Sequence, residues 1–148
     1  MDTVVVPVTH HDRWSRQVAS VVAELEDVSD TRAVVAYQFS GDLESTAEHL
    51  DVDKNSADID ELAARKSGVG KVVEMLESHG MTCSVRGVEV GEKKGEELLS
   101  LMDDEDADRI FMYSRKRSPA GKAVFGSGLQ TVLFNSSVPV VVVPPNIE

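Results

Sequence analysis

The feature that most constrains this chain is a regular exchange between two hydrophobic periods. Short runs of β-branched residues alternate with longer stretches whose apolar residues recur at helical spacing. Thr3 to Val8 (TVVVPV) is too short for a helix and apolar on both faces, as a central parallel strand must be. Trp14, Val18, Val21, Val22 and Leu25 then recur every three or four residues, which predicts a helix over Asp12 to Asp27. Arg32 to Phe39 predicts a second strand, and Ser40 to Asp58 an acidic connection broken by Gly41. Leu62, Val69, Val72, Val73 and Leu76 predict one helix over Ile59 to His79, ended by Gly80. Met81 to Val90 alternates Cys83, Val85 and Val88 with polar residues, the pattern of a strand nearer a sheet edge. A helix over Gly95 to Asp104 should bury Leu98, Leu99 and Met102, and Arg109 to Ser114 follows as a strand. The loop Arg115 to Phe125 leads into a short helix from Gly126-Ser127 to Ser136, then Pro139 and a last strand Val140 to Val143.

Strict β-α alternation with helices of this length requires right-handed crossovers and a parallel sheet covered on both faces. The expected fold is therefore α/β: a single-domain, open, Rossmann-like parallel sheet of five strands, occupying residues 1–148. A chain of 148 residues suits one such unit.

Charge narrows the partners. Asp and Glu outnumber Lys and Arg by 26 to 15, so a net charge of −11 disfavours nucleic acid and anionic membranes. No run of about 18 apolar residues is present, and the amino terminus enters a strand directly, so a cytoplasmic protein is expected. The single cysteine, Cys83, excludes an internal disulfide and fits core packing in a reducing compartment. So acidic a surface suits high salt, which screens carboxylate repulsion, and a salt-adapted source is expected. Against this background, Ile110 to Ile147 contains no acid, while Arg115, Lys116, Arg117 and Lys122 fall within eight residues. Removing four positive charges from a net −11 leaves −15 on the rest, so a cationic site sits on an acidic body.

Ligands of open α/β sheets bind beyond the carboxyl ends of strands, at the point where strand order reverses. This directs attention to the loops after Val8 and after Ser114. The second ends at Gly126-Ser127 just before a helix, where free amides and a hydroxyl could meet a phosphate; Ser127 as a simple helix cap is the equal alternative. Other chemistries lack their residues. Gly121-Lys122 has no glycine five positions earlier and is not a Walker loop. His10-His11 has no metal-ligating neighbours in sequence, so no metal is expected, and Ser136-Ser137 has no nucleophile elbow.

The stretch Ala107 to Ser114 (ADRIFMYS), followed by RKRSPAGKAVFGSGLQTVLFNSSVPVVVV, resembles the carboxyl-terminal signature of the universal stress protein family, and VVVPV with Pro7 is similar to its amino terminus. The resemblance covers the whole chain and implies the fold of the adenine nucleotide hydrolase type and a stress-response role. It also implies a two-fold dimer through the last strand, with Val138, Val140, Val141, Val142 and Val143 at the interface. ATP-binding members carry Gly-x-x-Gly, nine residues, then Gly and Ser or Thr. Counting back from Gly126, Tyr113 and Lys116 stand where the first two glycines belong, and Thr9 stands where an Asp is usual after the strand-one Pro. No cofactor is certain on this pattern; ATP or another adenine nucleotide is the candidate.

The expected function is thus weak binding of a nucleotide or phosphate-containing ligand at the ends of strands one and four. Its site would comprise Pro7, Val8, Thr9, Met112, Tyr113, Ser114, Arg115, Lys116, Gly126, Ser127 and Gly128, without catalytic residues. A dimeric scaffold that binds no nucleotide, and a slow nucleotide hydrolase, are the alternatives. If the acidic surface is salt-adapted, the melting temperature should rise by about 5 °C or more from dilute to molar KCl, the shift that 1–2 kcal/mol produces at this size. A flat profile in scanning calorimetry would refute salt adaptation.

Overall fold

The computed structural model describes residues 1–10, 12–41, 58–114, 116–117 and 123–144, with no side-chain description at 12, 116–117 and 123–124. Its order is β1 (Asp2–Val8), α1 (Asp12–Leu25), a 3₁₀ turn (Val28–Asp30), β2 (Thr31–Phe39), α2 (Ile59–Ala64), α3 (Ser67–Ser78), β3 (Thr82–Glu89), α4 (Glu96–Asp104), β4 (Arg109–Tyr113), β5 (Lys116–Arg117), β6 (Ala123–Val124), α5 (Ser127–Asn135) and β7 (Val140–Val143). Five strands pair in the order β3-β2-β1-β4-β7, every neighbour parallel. The chain builds outward from β1 through β2 to β3, then returns to the other side of β1 for β4 and β7, so the order reverses between β1 and β4.

Because side chains alternate across a strand, each strand feeds two apolar layers. Val4, Val6 and Val8 of β1, Ala33, Val35, Tyr37 and Phe39 of β2, and Phe111 of β4 pack with α1, α2 and α3. Val5, Val34, Ala36, Ile110 and Met112 pack on the other face with Leu98, Leu101 and Met102 of α4 and Leu129 and Val132 of α5. Central strands buried on both faces explain the unbroken valine runs.

The amino-terminal end of the sheet is tied by charge. Arg109 forks onto Glu26 with bonds of 2.6 and 3.1 Å and reaches Asp2 at 2.8 Å, joining β4, the end of α1 and β1. Its guanidinium is held protonated beyond its ordinary range, chiefly by the hydrogen bond to Glu26 and then that to Asp2. Glu105, just past α4, bridges Arg32 of β2 at 3.0 Å and Arg86 of β3 at 2.6 Å. Burial alone would raise its pKa, yet the two arginines' hydrogen bonds outweigh that and hold it lowered.

Five details depart from the sequence expectation. The single helix over Ile59 to His79 is two helices, since Lys66 is extended (φ −71, ψ 132) between Ala64 and Ser67. The first piece packs tightly on β3, where a Cβ on Gly87 would lie 2.5 Å from the Ile59 carbonyl oxygen. Lys66 meanwhile lays its ammonium over the rings of Tyr37 (5.0 Å) and Phe39 (5.6 Å), a cation–π contact. Leu25, expected on the buried face, is 61% exposed. Leu99 is only partly buried, and Leu101 fills the core position beside Leu98. The segment expected as loop between Arg115 and Phe125 contains a two-stranded antiparallel ribbon, Lys116 opposite Val124 and Arg117 opposite Ala123.

The fifth concerns the strand expected to meet a second copy. In β7, Val140, Val141, Val142 and Val143 lie opposite Ile110, Phe111, Met112 and Tyr113 of β4. Parity sends their side chains into the two apolar layers of this chain and not out toward a neighbour. Val143 is 2% exposed in the α1-side core, which Val141 also packs against. Val142, with Val138 and Val140, is half-buried against the α4–α5 layer. Val143 is thus a core residue, and Val142 is chiefly a packing residue of the α4–α5 side. Most of the acidic connection, residues 42–57, and the basic positions Arg115 and Lys122 lie outside the described residues.

Helices α3 and α4 end alike. Gly80 (φ 92) follows α3, with Met81 N–H donating to the Leu76 carbonyl and Gly80 N–H to that of Glu77. Asp106 takes the same place after α4 at φ 52, with Ala107 N–H donating to Met102 and Asp106 N–H to Asp103. It is the one non-glycine residue with positive φ among those described, and it puts a negative charge at a helix carboxyl end. Asp106→Gly should stabilise the protein by about 0.5–1 kcal/mol, and Asp106→Ala should not. Chemical denaturation reads the difference; a destabilised glycine variant would show that the aspartate side chain supports the turn.

Candidate functional site

Where strand order reverses, the helices on the two faces diverge, and a cleft of about 450 Å³ opens over the carboxyl ends of β1, β2 and β4. That is within the usual size of a small-molecule site. Pro7, Thr9, Met112, Tyr113, Gly126, Ser127 and Gly128, all expected from sequence, line it. Val8 and Ser114 do not line it. Val8 shares the parity of Val4 and Val6 and is fully buried in the α1-side layer, and Ser114 is 1% exposed with its N–H donated to the Val143 carbonyl. Both follow from counting loop-adjacent residues without asking which face each takes. Arg115 lies outside the described residues, and Lys116 is known only as the backbone of β5.

The rest of the lining was missed: part of it comes from strands and turns far from either loop, and part from the start of α1 just past the first loop. Gln38 and Ser40 end β2, Val90, Lys94 and Gly95 lead from β3 into α4, and His10, Trp14, Ser15 and Val18 come from the start of α1. The one signal in the sequence was the Lys94-Gly95 pair just before the expected helix.

On the α5 side the cleft meets an uncapped helix start. Gly126, extended at φ −70 and ψ 168, precedes the helix without a side-chain cap, and the first turn has no acidic residue. Ser127 is therefore the first helical residue and not the cap; its carbonyl accepts from the Thr131 hydroxyl at 3.0 Å. Helix α4 begins nearby and differs in kind. Its amino end carries Glu96 and Glu97, and the Glu97 carboxylate accepts from the Gly95 N–H at 2.8 and 3.1 Å. One helix start is thus neutralised by its own carboxylate, while the other keeps its amides and positive dipole end toward the cleft. The two starts touch. A Cβ on Gly95 would stand 2.6 Å from the Gly128 carbonyl oxygen and 2.9 Å from Thr131 Cβ, so only glycine allows the approach that brings Lys94 alongside α5.

On the α1 side the cleft wall is aromatic. Tyr113 stacks on Trp14 at 5.5 Å between centroids with 22° between planes. Its hydroxyl donates to Gln17 Oε1 at 3.2 Å, and Gln17 Nε2 donates to the Pro144 carbonyl at 3.0 Å. Neither Tyr113 nor Lys116 has positive φ, so the backbone stays extended where ATP-binding relatives were expected to need glycine. Cys83 takes no part: it is half-buried on β3, and burial, aided by Glu77, pushes its pKa up to about 11. The thiol is therefore protonated at neutral pH and a poor nucleophile.

A reversed-order parallel sheet with such a cleft defines a Rossmann-like α/β protein with a switch-point site. The chain belongs to the universal stress protein family, whose model matches residues 1–144. A universal stress protein of Mycolicibacterium smegmatis is 35% identical over 88 residues, 60% of this chain and 67% of that one. The universal stress protein of Archaeoglobus fulgidus superposes with a TM-score of 0.67 at 22% identity, covering 96% of this chain and 97% of the other. Its complex with dAMP gives 0.64 at 18% identity, covering 96% of each. A family member from Arabidopsis thaliana with AMP bound gives 0.64 at 10% identity, covering 99% and 94%. No described helix is long and apolar enough to cross a membrane.

Proposed function

We propose that this chain is a cytoplasmic stress-response protein, one domain over residues 1–148, that holds a nucleotide weakly in the β1–β4 cleft, with its phosphate at the start of α5. The observation that carries this is the contrast between the two adjoining helix starts: α4 is closed by Glu97, whereas α5 is uncapped and has Lys94 beside it. On a body of net charge −11, an anion can be held only where local donors overcome the surrounding field. The relatives that bind dAMP and AMP support an adenine nucleotide with a single phosphate. Tyr113 and Lys116 stand in place of the two glycines of ATP-binding relatives and lose their easy access to positive φ, which disfavours ATP. In titration calorimetry at fixed salt, AMP should bind more tightly than ATP. Tyr113→Gly with Lys116→Gly should strengthen ATP binding roughly tenfold, about 1.4 kcal/mol, despite the lost positive charge. Loss of ATP binding in that variant would mean that the two side chains, and not the α5 amides, hold the phosphate.

A dimer is the second part of the proposal. β7 pairs only with β4 among the described strands, and α5, which leads into it, exposes Phe134 at 80%. An apolar edge of this kind invites a second copy. With Val143 in the core, the contact falls to the β7 backbone edge and to what Val138, Val140, Val141 and Val142 leave uncovered. The same edge is what a scaffold role would use. Val141→Lys should convert a dimer to monomer in sedimentation; a dimer that survives the change would place the contact elsewhere.

A further inference from the structure

We propose that Gln38 reads the base of the bound nucleotide and selects adenine over guanine. The proposal rests on the reading of the cleft as a nucleotide site and adds the residue that would set its specificity. On β2 the even-numbered residues face α4 and α5. Val34 and Ala36 are buried there, and Arg32 is engaged by Ser84 and Glu105, each at 3.0 Å. Gln38 is the next residue of that parity, half-buried and at the cleft end of the strand.

The other two glutamines use their side chains within the fold. Gln17 accepts from Tyr113 and donates to Pro144, and Gln130 donates to the Phe125 carbonyl at 2.8 Å. The Gln38 carboxamide hydrogen-bonds to none of the described residues. A polar group beyond Val34 and Ala36 on this face gains nothing from the core, and full burial without partners would be costly. Its amide atoms are not sealed from solvent, so they can meet a ligand entering the cleft.

The surroundings fit a planar ring. Pro7 on β1 and Met112 on β4 share the sheet face of Gln38, and Val90, Lys94 and Gly126 to Gly128 line the same cleft. A carboxamide offers an acceptor oxygen and a donor nitrogen in one plane. On the edge that carries its amino group and N7, adenine answers with a donor and an acceptor, giving a bidentate pair. Guanine presents O6 and N7 on the same edge, both acceptors, and leaves the glutamine oxygen facing another oxygen.

Trp14 is the single tryptophan and lines the cleft, so its fluorescence reports occupancy. AMP, GMP and ribose 5-phosphate would be titrated into the full chain and into two variants. The parent should prefer AMP to GMP by roughly tenfold or more. Gln38→Met should reduce the preference to within about twofold and leave ribose 5-phosphate unchanged, since packing volume is kept and only the pairing is lost. Gln38→Glu should weaken AMP relative to ribose 5-phosphate, because a carboxylate in place of the amide donor faces the acceptor N7 of that edge. An AMP to GMP ratio unmoved by Gln38→Met, with ribose 5-phosphate still bound, would overturn the base-reading role and leave the phosphate site standing. Failure of the parent to bind any of the three would overturn both.

Discussion

The structure depends on one geometric constraint: β1 and β4 are buried on both faces, yet the strand order reverses between them. Helices following β1 and β2 cover one face, and those following β3 and β6 cover the other. Right-handed crossovers leading away in opposite directions cannot cover the seam they leave. The cleft is therefore a consequence of topology and needs no special residue to open it. What individual residues decide is the chemistry of its walls.

Those walls are held from the opposite end. Arg109 locks the starts of β1 and β4 to α1 through Asp2 and Glu26, and Glu105 locks β2 and β3 to the end of α4. Such partly buried bidentate pairs fix geometry more than they add stability. With the amino-terminal ends tied, the helices keep their spacing at the carboxyl ends, and Gly95 against Gly128 sets how close α4 and α5 come. Charge follows the same division: carboxylates bridge arginines at the closed end, whereas the open end keeps uncapped amides and a lysine.

The sheet was legible from sequence because its information is local: valine-rich runs, their alternation with helical periods, and Gly80 as a stop are all read within a few residues. The break at Lys66 was not, since the rings of β2 that Lys66 meets lie some thirty residues earlier in the chain. Half of the cleft was legible for the same reason, since two loops and Gly126-Ser127 mark it. Val8 and Ser114 were misplaced because adjacency to a loop was used where strand parity decides. Val143 follows the same rule, since an apolar run reads alike whether its side chains meet a second copy or the chain's own helices. Gln38, Trp14 and Lys94 carry no local motif and become site residues only when β2, α1 and the β3–α4 turn are brought together by the fold.

Parity also explains how Tyr113 can replace a family glycine without closing the site. Odd residues of β4 face α1, so Phe111 enters the α1-side core and the Tyr113 ring turns that way onto Trp14, pinned by Gln17. Met112, of the other parity, faces α4 and α5, and the start of α5 lies on that side. The ring thus narrows one wall of the cleft and leaves the opposite wall untouched. An aromatic stack of this kind is worth about 0.5–1.5 kcal/mol beyond its buried area, so the exchange of glycine for tyrosine stabilises the fold at that position. The proposed anion recognition then rests on donors that the exchange does not reach: the α5 amides and Lys94, whose approach is set by Gly95 and Gly128.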